Sequence, residues 1–212
     1  MRKMVMVIGL MALVGCSSAY YGTMEKLGYH KRDLMVNRVE SARDAQEEAK
    51  EEFESALEKF SSVLQFDGGK LEDKYNQLQS AYDRSNARAV TVRERIESVE
   101  DVAEALFAEW EEELDQYANA NLRRSSARKL SQTKRQYSQL ITAMKRAERK
   151  MEPVLTAFHD QVLFLKHNLN AKAIASLQTE LGSVEAEVNS LIRDMEASIK
   201  EADAFINAMA RE

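Results

Sequence analysis

The sequence predicts an all-α fold: a long antiparallel coiled-coil bundle of about four helices. Three observations lead to this prediction. Glycine and proline are scarce, with seven and one among 212 residues, whereas sheets need turn residues at short intervals. Charged residues make up 31% of the chain and apolar residues 44%, a mixture typical of long helices. After residue 30 the apolar residues recur in alternating steps of three and four, the heptad spacing of helices that pack side by side.

The N-terminal segment predicts export. It begins with Arg2 and Lys3, continues with the apolar stretch 4–14 and reaches Gly15 just before Cys16. A positive start, a short apolar middle and a small residue at the cut are typical of a signal peptide. The eleven residues of the apolar stretch are too few for a membrane-spanning helix, which needs roughly 20. We therefore predict that residues 1–15 are cleaved off.

Cys16 follows a sequence, Leu-Val-Gly, that resembles the bacterial lipobox. The resemblance implies a thioether-linked diacylglycerol on Cys16 and an acylated amino group, with palmitate as the expected acid. Several acyl chains together hold a protein firmly on a membrane. The alternative is a secreted protein with a chance cysteine, but Cys16 is the only cysteine and so cannot serve an internal disulfide. Ser17 in place of Asp, by resemblance to the lipoprotein sorting rule, implies the outer membrane.

Residues 16–29 are predicted to be the lipidated N-terminus and a short linker, followed by one all-helical domain over residues 30–212. The linker has no periodic pattern. Residues 17–29 span at most ~45 Å when fully extended, so the helical domain stays near the bilayer. The helices are predicted over residues 31–66, 71–118, 125–168 and 171–210.

The first two helices have regular apolar seams. In the first helix, steps of four and three lead from Met35 to Val63 with Gln46 as the only polar member, and the turn residues 67–70 follow. In the second helix the same stepping runs from Leu71 to Tyr117 without a slip. Continued further, it would bury an asparagine and an arginine, so we predict a turn between residues 118 and 126.

The third helix has a seam from Leu130 to Leu169, with Lys134 and Glu148 at in-phase positions. Pro153 lies inside this seam. Because the phase is the same on both sides of the proline, we interpret the segment as a kinked helix, with a fresh helix start at Pro153 as the alternative.

The fourth helix has the most regular seam, from Ile174 to Met209. If the stepping of the third seam is continued into this helix, it misses the positions of the fourth seam by one residue. Residues 168–170 therefore form either a tight turn or a stutter within one long helix, and we favour the turn.

Charge predicts that the second and third helices lie side by side. Residues 97–117 hold nine acids and no base, whereas residues 118–150 hold ten bases and one acid, Glu148. If the chain folds back near residue 121, the two blocks face each other, which relieves the repulsion within each block.

The basic block is also the one feature that resembles a binding site. The possible interaction surface consists of Arg123, Arg124, Arg128, Lys129, Lys134 and Arg135. One interpretation is contact with anionic material of the cell envelope, either lipid phosphates or peptidoglycan carboxylates. The other, which we favour, is pairing with the acidic block of the second helix, where each exposed pair contributes ~0–1 kcal/mol.

The sequence contains no recognisable catalytic, metal-binding or cofactor-binding pattern. None of His30, His159 and His167 is preceded three residues earlier by Glu, so the Glu-x-x-His pattern of di-iron bundles is missing. There is no Gly-x-Ser-x-Gly and no phosphate-binding glycine loop. Without the signal peptide, 28 basic residues stand against 35 acidic ones, which disfavours nucleic-acid binding. We predict no enzymatic activity, cofactor, metal or small-molecule substrate.

The chain resembles a family of uncharacterised bacterial lipoproteins, domain of unknown function 2959. The resemblance rests on Cys16, on Tyr20-Tyr21, on the run 25–32 (Glu-Lys-Leu-Gly-Tyr-His-Lys-Arg) and on the run 164–174 (Phe-Leu-Lys-His-Asn-Leu-Asn-Ala-Lys-Ala-Ile). It covers nearly the whole chain and implies no activity, ligand or catalytic residue.

We therefore expect a membrane-anchored lipoprotein that faces the periplasm and has a structural or scaffold role. Its coiled coil is expected to dock a protein partner or to self-associate. The alternative is a module that binds anionic lipid or peptidoglycan through residues 123–150.

Overall fold

A computed structural model describes residues 30–64, 70–168 and 171–211. These ranges form four helices and no strand, which confirms the predicted all-α fold. The helices are α1 (Lys31–Leu64), α2 (Leu71–Leu114), α3 (Ala120–His167) and α4 (Ala171–Ala210). The predicted signal peptide, Cys16 and the linker lie outside the described residues, as do the turn residues 67–69.

The four helices form an antiparallel ring. Each of α1 and α3 packs against both α2 and α4. Lys31 at the start of α1 pairs with Glu109 near the end of α2, whereas Glu52 further along α1 pairs with Arg84, nearer the start of α2. Helix α4 also runs antiparallel to α1, because Arg43 pairs with Asp203 and Arg32 donates a hydrogen bond to the Met209 carbonyl.

The core follows the predicted seams most closely in α1. All nine predicted seam positions of this helix are buried, and none is more than 1% exposed: Met35, Val39, Ala42, Gln46, Ala49, Phe53, Ala56, Phe60 and Val63. Across the ring, Phe158 of α3 stacks on Phe60 with ring centroids 4.4 Å apart and lies 6.3 Å from the Phe53 ring. One continuous core therefore joins the helices.

Three positions of the α3 seam lie one residue earlier than the sequence pattern indicates. Thr133, Leu140 and Ala147 are buried, whereas Lys134 and Glu148 lie beside the seam and are partly exposed. Burying an ionised side chain in the centre of a bundle is costly. The helix avoids this cost by turning neutral residues inward and leaving both charges at its edge.

The α2–α3 connection is shorter than predicted. Helix α2 ends at Leu114 rather than at residue 118, and α3 begins at Ala120 rather than at residue 125. The early start has a local cause, because the Asn119 side chain accepts hydrogen bonds from the amides of Asn121 and Leu122 and so caps the helix. Helix α2 ends in a run of acids, which the negative C-terminal end of a helix disfavours.

Helix α3 continues without interruption through Pro153, so the alternative of a fresh helix start there is wrong. It ends at His167, and Asn168 is its C-terminal cap. Helix α4 begins at Ala171 and packs back against α3. The two helices are therefore separate, in agreement with the preferred turn and not with a stutter.

A single pair of polar side chains is hydrogen-bonded deep within the described core. Ser198 of α4 donates from its hydroxyl to the Oε1 atom of Gln46 in α1, at 2.7 Å, and both residues are 0% exposed. The amide nitrogen of Gln46 has no hydrogen-bond partner among the described residues. This pair links the first helix to the last.

The α2–α3 hairpin projects past the other two helices at the end of the bundle where α1 begins and α4 ends. Because Lys31 is level with Glu109, helix α2 continues for more than a turn before the chain reverses into α3. We call residues 110–131 the overhang; it extends roughly 10–20 Å beyond the start of α1. Within the described ranges, no helix is both long and apolar enough to cross a membrane.

Candidate interaction surface

The six residues singled out from the sequence lie on the first turns of α3, in or next to the overhang. Two of them bind acids at the end of α2 or just after it. Arg123 pairs with Asp115, and the Lys134 ammonium lies 2.6 Å from a Glu111 oxygen. The same ammonium is 5.4 Å from the centre of the Phe107 ring, a cation–π distance. Arg123 and Lys134 therefore hold the hairpin together.

Three other members of the set, Arg124, Arg128 and Arg135, have no carboxylate partner among the described residues. Arg124 donates to the Asn121 side chain and Arg135 donates to the Ser131 hydroxyl at 2.8 Å, both within α3. All three arginines are exposed. Arg128 and Arg135 are seven residues apart and so lie on the same outward face of the helix. Lys129 is exposed on the same turns.

Three of the four later bases of the block, Lys145, Arg146 and Lys150, pair with acids of the bundle, whereas Arg149 has no carboxylate partner among the described residues. Lys145 lies 2.8 Å from a Glu100 oxygen of α2, and Lys150 lies 2.6 Å from an Asp194 oxygen of α4. Burial lowers the pKa of Lys145, but hydrogen bonds and charges of Glu100 and Glu148 outweigh this effect and leave the pKa raised. The favoured interpretation, internal pairing, therefore describes these lysines together with Arg123, Lys134 and Arg146, but neither Arg149 nor the three outward arginines.

A shallow groove runs beside these arginines. It has a volume of about 360 Å³ and is lined by Ser131, Lys134, Arg135 and Ser138, by the apolar Ala127 and Leu130, and by Glu111 of α2, whose charge is offset by Lys134. No acid occurs in α3 before Glu148. The groove and the outward arginines together form a positive, hydroxyl-lined surface that suits phosphate or carboxylate oxygens, because an arginine can donate two parallel hydrogen bonds to either group.

Two exposed apolar side chains lie at the tip of the same hairpin. Tyr117 is 41% exposed and Leu122 is 57% exposed. The sequence pattern placed Tyr117 in the core of the second helix, which is wrong because α2 ends before it. Leu122 was not singled out, since it lay within the predicted turn. The signal that could have revealed it is Asn119, a typical helix-capping residue just before it.

The histidines form no common site. His159 packs against the Tyr82 ring, with centroids 5.3 Å apart, and His30 and His167 lie exposed at the ends of helices. In the part of the chain that the structure describes, no three His, Cys, Asp or Glu side chains are grouped to hold a metal ion.

Comparison with known proteins identifies a family. The model of a family described as "Protein of unknown function (DUF2959)" matches residues 20–209. The chain belongs to the DUF2959 family. The match includes all four helices and confirms the resemblance noted from the sequence, while Cys16 lies before the matched range. Searches of curated proteins and of solved structures gave no match.

Proposed function

We propose that this DUF2959 protein is a lipoprotein of the cell envelope with a structural or protein-interaction role. Acylated Cys16 holds it at the outer membrane, on the periplasmic side, and the helical bundle is the interacting part. The observation that carries the proposal is the lipobox-like sequence that ends at Cys16, followed within a short linker by long helices.

Anchoring is tested by fractionation of cells that produce the full chain. We expect the wild-type protein to remain with the membranes and to enter a detergent phase, and a Cys16→Ser variant to lose both properties. Ser18→Ala is the matched control, because it changes a neighbouring residue and leaves the lipobox-like sequence intact. Membrane association of Cys16→Ser in the absence of detergent would contradict the anchor.

The interaction role is tested by crosslinking the lipidated protein in its native envelope. We expect a specific product with a protein partner or with a second copy of the chain. A monodisperse monomer that yields no crosslinked product would count against a scaffold role, even if the anchor is correct.

A second candidate function is the binding of anionic lipid or peptidoglycan through residues 123–150. The internal ion pairs of Lys145 and Lys150 weaken this candidate for the later half of the block. What supports it is confined to the first turns of α3, where three arginines lack carboxylate partners in the described structure.

A further inference from the structure

We infer that Arg124, Arg128 and Arg135 bind the phosphates of anionic lipid headgroups, so that the overhang and the adjoining turn of α3 contact the membrane to which the chain is anchored. This inference rests on the proposed lipid anchor at Cys16 and names one partner of the anchored bundle.

The first step is the charge of the surface. The three arginines are exposed and make no ion pair with any described residue, so their charge is not neutralised within the bundle. The nearest acids, at the end of α2 and just after it, are largely engaged, because Glu111 binds Lys134 and Asp115 binds Arg123. Two further acids, Glu112 and Glu113, are exposed at the end of α2. The face of α3 that carries the arginines has no acid of its own before Glu148.

The second step is the position of the surface along the bundle. The overhang projects at the end where α1 begins, and α1 is the helix that follows the linker from Cys16. Residues 17–29 allow at most ~45 Å between the anchor and α1. Since the overhang extends beyond the start of α1, it is the part of the bundle that lies within easiest reach of the headgroups.

The third step is the chemistry of the tip. Leu122 and Tyr117 are exposed at the tip of the hairpin, at the end of α3 where Arg124 and Arg128 lie. Side chains that combine cations with nearby apolar and aromatic groups suit the membrane interface, where the cations bind phosphates and the apolar groups enter the acyl boundary. Peptidoglycan carboxylates would satisfy the arginines equally well but would leave Leu122 and Tyr117 in water, so the structure favours lipid.

The experiment uses the full lipidated chain reconstituted in vesicles. A polarity-sensitive thiol dye is placed at Ser125→Cys, an exposed position between Arg124 and Arg128, or at Ser183→Cys, an exposed serine in the half of α4 away from the overhang. On phosphatidylglycerol vesicles we expect the dye at position 125, and not at position 183, to shift to shorter wavelength. The ratio of membrane-contacting to free overhang should fall about fivefold for each arginine removed, hence roughly 100-fold in Arg124→Gln/Arg128→Gln/Arg135→Gln.

The matched control removes three exposed arginines from the middle of the bundle, as Arg95→Gln/Arg149→Gln/Arg193→Gln. It changes the net charge equally and should leave the signal at position 125 unchanged. The circular-dichroism melt of each variant confirms that it is folded. Three results would overturn the inference. The dye signal could be equally strong on phosphatidylcholine vesicles, or the control variant could lose as much signal as the test variant. The arginines could also be needed for binding to isolated peptidoglycan while vesicles give no dye signal. Labelling of the parent chain by the dye would instead expose a free Cys16 thiol and so a failure of the proposed anchor.

Discussion

At the scale of single residues, the Gln46–Ser198 pair is the one buried side-chain hydrogen bond in the described core. Ser198 is paired, but the amide nitrogen of Gln46 is buried without a partner. A buried, incompletely bonded amide costs free energy, and such residues often fix the register and partner choice of packed helices. We therefore expect the pair to favour one alignment of α1 against α4 at some expense of stability.

We expect the double variant Gln46→Leu/Ser198→Ala to raise the free energy of unfolding by about 1–3 kcal/mol, because it removes both polar groups together. Ser198→Ala alone should lower it by about 1 kcal/mol, since it leaves the Gln46 side chain with no partner at all. Urea denaturation of the three proteins measures both effects. A double variant less stable than the wild type would show that the amide contributes net stability.

Tyr137 makes the stability of the folded chain depend on pH in the alkaline range. Burial, reinforced by the charges of Glu100 and Glu104, raises its pKa from 10.0 to about 12. The neutral phenol thus favours the folded state fully below pH 10, and this contribution is lost as the pH rises from 10 to about 12. In a phenolate absorbance titration, one tyrosine of the folded protein should titrate late, and Tyr137→Phe should remove that phase. A titration unchanged by the substitution would contradict the assignment.

At the scale of the helices, Pro153 is the main irregularity. It lacks an amide hydrogen, so the helical hydrogen bond to the carbonyl of Arg149 cannot form, although α3 continues through it. Pro153 is exposed, and alanine fits the same place without a clash. We expect Pro153→Ala to raise the thermal midpoint, with a gain of about 1–3 kcal/mol. The exposed control Thr156→Ala should change stability by less than ~0.5 kcal/mol. If Pro153→Ala were less stable than the wild type, the bundle would need the backbone geometry that the proline imposes.

The sequence pattern predicts the helices well and their faces less well. Heptad stepping alone identifies every buried seam position of α1, because each candidate there is apolar or the single Gln46. In α3 the stepping from Leu130 passes through Lys134 and Glu148, whereas the structure buries Thr133 and Ala147 one residue earlier. Threonine gives little hydrophobic signal and alanine a weaker one than a large apolar residue, so the desolvation cost of the charges at Lys134 and Glu148 decides between the two faces.

At the scale of the whole molecule, the continuous core predicts that the bundle unfolds as one unit. Phe158 lies in the half of the bundle away from the overhang and stacks on two phenylalanines of α1. Phe158→Ala should lower the free energy of unfolding by about 3–5 kcal/mol. Trp110, the only tryptophan, lies at the overhang, so its fluorescence reports on the end of the bundle opposite to Phe158. If the bundle unfolds as one unit, the fluorescence and the circular-dichroism signal of the variant should change together. Separate transitions of the two signals would show that the halves of the bundle unfold independently. Leu163→Ala is the control, because this side chain is 46% exposed and its removal leaves the core intact.

The candidate surface could be located from the sequence but not resolved into its parts. Ten bases and one acid over residues 118–150 mark the region. The rotation of α3 about its axis decides which bases can reach acids of the bundle. At alternate positions the sequence pattern predicts a buried residue one place later than the structure shows. Lys134 consequently faces Glu111 and not the core, while Arg128 and Arg135 face outward. The tip residues could not be placed, because the helix ends around them depend on the Asn119 cap.

The ring arrangement also sets an order of assembly. Helix α1 is synthesised first, yet one of its two neighbours is α4, the last helix of the chain, and Gln46 and Ser198 are separated by 152 positions. Until α4 is complete, one flank of the α1 seam has nothing to cover it. A nascent chain therefore carries an uncovered row of apolar side chains for most of its synthesis, and truncation of the last helix would leave that row permanently open to aggregation.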